Sequence, residues 1–183
     1  HVAAIGFELY VEMLDQAVTE LRSAQAEGGE RTDEEVRVDA DVSAYVPSSY
    51  VPYEAAKIDV HRRIAGARAP GELRALRDEL RDRFGPPPEP VEALLATQRA
   101  RIELGREGAR SLSLRGARIL AEPLELDSQR VARLRKRIPE AIFSSREGTL
   151  TLRFDVGDEP ERSRIVALER LSDAIAESRP EAG

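Results

Sequence analysis

The sequence predicts an α+β fold, and three observations predict it. Apolar and polar residues alternate strictly over 36–46 and again over 149–154, the period of a strand with one buried face. Longer segments, 7–26, 89–106 and 160–177 among them, repeat apolar residues at intervals of three and four, as amphipathic helices do. The resulting order is helix, strand, three helices, strands, helix, strands, helix, without the regular β-α alternation of a parallel doubly wound sheet. The expected architecture is an N-terminal helical arm with an acidic linker, residues 1–34. One compact mixed domain follows, residues 35–183, with a small, mainly antiparallel sheet packed by helices.

Each element has its own signal. In 7–26 the stripe is Tyr10, Met13, Leu14, Ala17, Val18 and Leu21, and Gly28-Gly29 ends it. Glu27 to Asp41 carries seven acidic and two basic residues and begins as a linker. In 36–46 the inward set is Val36, Val38, Ala40, Val42, Ala44 and Val46, and Pro47 and Pro52 then bracket a turn around Tyr50. A helix over 53–67 sets Ala56, Val60 and Ile64 on one face. Pro70 suits the first turn of the next helix, 71–84, which turns Leu73, Leu76, Leu80 and Phe84 inward. Gly85 and Pro86-Pro87-Pro88 stop it. Val91, Leu94, Leu95, Gln98 and Ile102 form the stripe of 89–106. Strands are expected at 111–115 and 118–126 around Gly116, and a short helix over 128–138 closed by Pro139. The strand over 149–154 and the helix over 160–177, with Ile165, Leu168, Leu171 and Ile175 inward, complete the domain. The tail from Ser178 to Gly183 is expected to be disordered.

Composition narrows the chemistry. Apolar residues make up 41% of the 183 residues but aromatics only 4%, so the core is built of Leu, Val, Ile and Ala. Cysteine is absent, which removes disulfides and thiolate chemistry and fits a reducing, cytoplasmic setting. No apolar run approaches the roughly 20 residues of a membrane span, and no basic segment followed by an apolar stretch opens the chain. A start at His1 inside apolar sequence reads as a piece cut from a longer protein. The net charge of −6 excludes a polycation built to coat nucleic acid.

No catalytic, cofactor or metal site is expected in this chain. A P-loop needs glycines followed by Lys and Ser/Thr, and neither Lys57 nor Lys136 stands in that context. Asp33-Glu34-Glu35-Val36 superficially resembles a magnesium-holding acidic box, but Gly28-Gly29-Glu30-Arg31-Thr32 precedes it instead of an apolar strand, so it reads as solvated linker. His61 has Ile and Ala at the following helical positions 64 and 65, not metal ligands, and reads as structural.

Charge segregation leaves two binding candidates. On the 71–84 helix, Glu79 and Asp82 stand one turn apart, flanked by Asp78 and Glu72, opposite the apolar stripe. Such a face suits a basic patch on a partner, against the plainer reading of a soluble helix with a Glu79–Arg83 pair. Basic residues concentrate over 99–118, six Arg against two Glu, and over 128–137, with Arg130, Arg133, Arg135, Lys136 and Arg137. Either stretch, Arg130, Arg133, Lys136 and Arg137 above all, could touch nucleic-acid phosphate, although neither interleaves aromatics for base stacking.

Several blocks together resemble one family. His1-Val2-Ala3-Ala4-Ile5-Gly6-Phe7-Glu8-Leu9-Tyr10 is similar to the end of the translocation motif shared with the RecG helicases. Tyr45-Val46-Pro47-Ser48-Ser49-Tyr50-Val51-Pro52 is similar to a paired aromatic/aliphatic-proline signature, and Glu79-Leu80-Arg81-Asp82-Arg83-Phe84-Gly85-Pro86 to the block that follows it. In this order, over residues 1–105, they resemble the C-terminal region of the bacterial transcription-repair coupling factors, the Mfd family. His61 and Tyr53 depart from it, standing where family members more often carry an aromatic and an acid.

The resemblance implies a parent that is an ATP- and magnesium-dependent DNA translocase, displacing stalled RNA polymerase and recruiting excision repair through UvrA. Its motor motifs would lie upstream of His1. It also implies that the terminal domain is an autoinhibitory clamp, docked on the UvrA-binding module of the same protein, which favours the acidic face of the 71–84 helix, Glu79 and Asp82 flanked by Asp78 and Glu72, as the docking surface. A DNA-contacting accessory domain and a passive structural cap are the alternatives.

Overall fold

The structure, a computed structural model, describes residues 35–180. The helix expected over 7–26 and most of the acidic linker lie outside them. The elements are β1 (Arg37–Ala40), α1 (Glu54–Gly66), α2 (Pro70–Phe84), α3 (Glu89–Gly105), β2 (Ser111–Arg115), β3 (Arg118–Glu122), α4 (Ser128–Arg137), β4 (Ala141–Ser144), β5 (Thr149–Arg153) and α5 (Pro160–Ser178). The fold is α+β, with a five-stranded mixed sheet in the order β1-β2-β3-β5-β4. β1 pairs β2 in parallel, and the other three pairings are antiparallel. The parallel pair needs a long crossover, and α1, α2 and α3 supply it.

Alternation along the strands sorts their side chains onto two faces. Leu112, Leu114, Ile119, Ala121, Leu150 and Leu152 are buried on one face, with Ile165, Leu168, Leu171 and Ile175 of α5 in the same cluster. A second apolar cluster joins Val46 and Val51 to Val60 and Ile64 of α1, Leu73, Leu76 and Leu80 of α2, and Val91 and Leu95 of α3. α3 serves both clusters. Beyond the stripe the sequence marks, it buries Ala93, Ala96, Ala100 and Leu104 against the sheet side. Alanine is at home on either side of a helix, so period alone did not reveal this second face.

Four boundaries differ from expectation. Alternate burial holds from Val36 to Val46, but only Arg37–Ala40 pairs in the ladder. Past Asp41, whose N–H still reaches the Leu114 carbonyl, the segment leaves the sheet and carries Val46 into the helical cluster. β3 stops at Glu122 because Pro123 has no N–H to donate, although Leu124 and Leu126 stay buried. β4 went unforeseen. It is four residues long, and its hairpin closes through Gly148 at φ +66°, whose N–H reaches the Ser144 carbonyl.

The tail is the fourth correction. Ser178 is fully buried, and Arg179 is held by two carboxylates, with Nη1 2.6 Å from Glu103 and Nε 2.6 Å from Glu107. Residues 181–183 lie outside the described part.

Candidate functional site

The turn over 45–52 is pinned from three sides. The Tyr50 hydroxyl donates to the Gly85 carbonyl at 2.8 Å, and its ring meets Phe84 edge-on. Two of the blocks that carry the family resemblance are therefore in direct contact, and Gly85 stands at φ +87°, where a side chain would be strained. Lys57 Nζ donates to Ser48 Oγ at 2.8 Å, and His61 Nε2 accepts the Val46 N–H at 3.4 Å. His61 is thus a structural acceptor.

Burial, reinforced by the nearby Lys57 charge, lowers the His61 pKa from its ordinary 6.5. The unfolded chain then binds a proton there that the native chain does not. The contribution of His61 to stability is complete above pH 6.5 and is lost as pH falls through the lower native value. One such group changes stability by at most about 1.4 kcal/mol per pH unit. Urea unfolding at pH 7.5 and 5.5 should show a smaller pH difference for His61→Gln than for the parent chain. Equal differences would remove His61 as the source.

α2 presents the acidic face that the sequence singled out, and its four acids serve different ends. Glu72 accepts the Arg68 N–H at 3.0 Å, reaching back over the start of the helix as a capping glutamate does. Glu79 makes a two-pronged pair with Arg63 of α1, at 2.9 and 2.6 Å, and a further one with Arg83 at 3.2 Å. Hydrogen bonds from Arg63, then Arg83, hold its pKa down at about 2. Glu79 therefore links α1 to α2, as Arg77 links α2 to Glu92 of α3 at 2.8 Å. Asp78 and Asp82 remain, both exposed, one turn apart on one side of the helix, and without an ion-pair partner among the described residues.

The basic face of α4 is largely consumed within the domain. Arg130 Nη1 lies 2.6 Å from Glu107, and Arg133 donates to the Ser178 carbonyl at 2.9 Å. Arg137 is ion-paired with Glu177. These three side chains close the C-terminus of α5, where unsatisfied carbonyls and the helix dipole favour cations. Lys136 and Arg135 stay exposed. Spacing in the sequence could not show this, because α5 lies some 40 residues further along the chain.

Glu107, whose side chain is 6% exposed, sits between Arg130 and Arg179. Burial opposes its ionisation, but hydrogen bonds from both arginines outweigh that and keep its pKa below the ordinary value. Glu103 beside it is 3% exposed. No sequence motif marks this cluster; its members come from α3 and the turn after it, α4, and the residue after α5.

Among the described residues no three His, Cys, Asp or Glu side chains are grouped to hold a metal ion, and no helix is long and apolar enough to cross a membrane. The Asp33-Glu34 pair lies outside the described part. A shallow cleft of about 480 Å³ beside α5 is lined by Phe154, Arg162, Val166 and Arg170, with Arg170 tied to Glu140 at 2.6 Å.

Comparison with known proteins supplies the family and supports the fold. The TRCF domain family matches residues 40–133, which includes the pinned turn, all of α1 to α3 and the first sheet hairpin. A transcription-repair-coupling factor from Mycobacterium tuberculosis (strain CDC 1551 / Oshkosh) is 32% identical over 158 residues, covering 82% of this chain and 13% of that protein. One from Escherichia coli (strain K12) is 33% identical over 109 residues, 59% of this chain and 10% of that protein. The chain thus spans about an eighth or less of these relatives' length. In structure it is similar to a crystal structure of the C-terminal domain of a transcription-repair coupling factor, with a TM-score of 0.63, 20% identity, and coverage of 79% of this chain and 93% of that one. With the family matched across more than half of the chain and the fold shared, this chain belongs to the TRCF domain family of the transcription-repair coupling factors.

Proposed function

We propose that this chain is the regulatory C-terminal domain of a transcription-repair coupling factor, with no catalysis of its own. It docks on the UvrA-binding module of the same protein and restrains the motor until RNA polymerase is engaged. The partners of the whole protein in this reading are RNA polymerase, UvrA and duplex DNA. ATP and magnesium serve a motor outside this chain, and the compartment is the cytoplasm.

The observation that carries the docking face is the pair Asp78 and Asp82. Like charges at i and i+4 cost a helix about 0.2–0.5 kcal/mol, and neither acid has a cation within ion-pair distance among the described residues. Arginines on an opposing surface would. Glu79 and Glu72 border the same face but are engaged in α1–α2 linkage and capping, so they position the face more than they bind with it.

Docked and released states form a two-state balance. A few charged contacts, about 1–3 kcal/mol together, shift such a balance about five- to 150-fold. In the full-length protein, Asp78→Lys with Asp82→Lys should therefore raise DNA-independent ATPase activity and UvrA affinity at least fivefold. Both acids are exposed, so thermal unfolding should stay within about 0.5 kcal/mol of wild type. Wild-type ATPase and UvrA binding in a fully folded variant would discard this face. Glu79→Lys is the poorer probe, because it also breaks the Arg63 pair.

A further inference from the structure

The helices pack against one face of the sheet, and the opposite face has no buried residue. Registered pairing gives its rows. One row reads Asp39, Ser113, Leu120, Thr151 and Ile142 across all five strands. The neighbouring row places Arg115 opposite Arg118, and Arg118 opposite Arg153. Three arginines thus stand side by side on β2, β3 and β5. At ordinary strand spacing they span about 10 Å.

This row is unfavourable for the fold taken alone, because like charges directly opposite one another destabilise a sheet. Protection of a sheet edge does not account for it, since β2, β3 and β5 are all interior strands. Arg118 and Arg153 are exposed and have no ion-pair partner among the described residues. Arg115 pairs with Asp39, but both side chains are more than half exposed, so the pair is weak and exchangeable. Across this face, Arg37, Arg115, Arg118 and Arg153 stand with Asp39, Glu122 and, at the end of the arginine row, Asp41, which Arg164 of α5 already holds at 3.6 Å.

We propose that this open sheet face is a nucleic-acid contact surface that grips the phosphate backbone. Arg115, Arg118 and Arg153 supply the cations, and Ser113 and Thr151 are the adjacent hydroxyl donors. Side chains of these types are the usual partners of phosphate oxygens. The face carries no aromatic residue, since Phe143 of β4 is packed against the core cluster. It therefore offers no stacking platform, and contact is to the backbone without regard to sequence. An acidic protein segment is the competing occupant. It is disfavoured because the face lacks the buried aromatic or aliphatic anchor around which protein interfaces form. Only Leu120, half-buried, and Ile142, exposed at the rim, are apolar there.

The test is fluorescence anisotropy of a labelled 25-base-pair duplex titrated with the 183-residue chain. Three phosphates neutralised give a slope of about −2.7 in log affinity against log salt, or about a 40-fold loss between 50 and 200 mM. Arg118→Glu with Arg153→Glu should weaken binding at 50 mM salt more than tenfold and flatten the slope by about 1.8. Arg118→Lys with Arg153→Lys should keep most of the affinity. Arg118→Thr should raise the melting temperature by about 1–3 °C, as a like-charge contact is relieved. No binding at 20 mM salt, or binding that the double reversal leaves intact, overturns the proposal. Equal or tighter binding of labelled poly-glutamate overturns it in favour of an acidic protein partner. A lower melting temperature for Arg118→Thr overturns the premise that the row does not serve the fold.

Discussion

Arg179→Ala should lower the unfolding free energy of this chain by about 3–5 kcal/mol, the usual cost of breaking a buried ion pair from one side. The reason is what remains after truncation. Glu103 is 3% exposed, and its next cation, Arg106, is 4.0 Å away with its side chain nearly half exposed. Glu107 keeps Arg130 but loses its second guanidinium. Two buried carboxylates would then be undercompensated. A domain of this size has about 5–15 kcal/mol in total, so the loss is a large share of it. A chain ending at Ser178 should behave like Arg179→Ala, whereas one ending at Pro180 should unfold like the full chain. The native pKa of Glu107 is depressed, so its own contribution is present above its ordinary value of 4.5 and is lost as pH falls below it. Denaturant titration at pH 7 measures the difference, and a loss under 1 kcal/mol for Arg179→Ala would mean that the cluster does not hold α3, α4 and α5 together.

The other large effect is expected at Leu168. It is fully buried on α5, in the cluster shared with α3 and the sheet. Leu168→Ala removes its contacts and leaves a cavity that the alanine-rich α3 surface cannot fill without a helix shift, costing about 2–5 kcal/mol. At about 2–4 °C per kcal/mol for a chain of this length, the melting temperature should fall by roughly 5–20 °C. Val166, two residues earlier and 42% exposed, is the control. Val166→Ala should change stability by no more than about 0.5 kcal/mol. Similar effects at the two positions would contradict the inward face assigned to α5.

The charged surface divides along the same lines. Acids that look equivalent on a helical wheel are not equivalent in space: Glu79 is committed to Arg63, while Asp78 and Asp82 are exposed and make no ion pair among the described residues. Among the arginines, Arg130, Arg133 and Arg137 of α4, which seemed available, are committed to α5 and Glu107. Arg118 and Arg153, which do remain open, come from segments 35 residues apart that only β3–β5 pairing brings together.

What the sequence determined by itself was the fold class, every helix among the described residues, and the family. Those rest on short-range causes: apolar residues at helical or strand period, prolines at helix starts, Gly85 at a stop, and contiguous blocks such as 45–52. The short strand β4 was lost because four residues hold too little alternation to register. The tertiary structure alone decided which charges are free and whether the tail is ordered. Arg179 next to a helix end reads as solvated tail until Glu103 and Glu107, more than 70 residues earlier, are set against it. Ion pairing depends on distance in space and on burial, neither of which is a local property of the chain, so no reading of spacing could have assigned it.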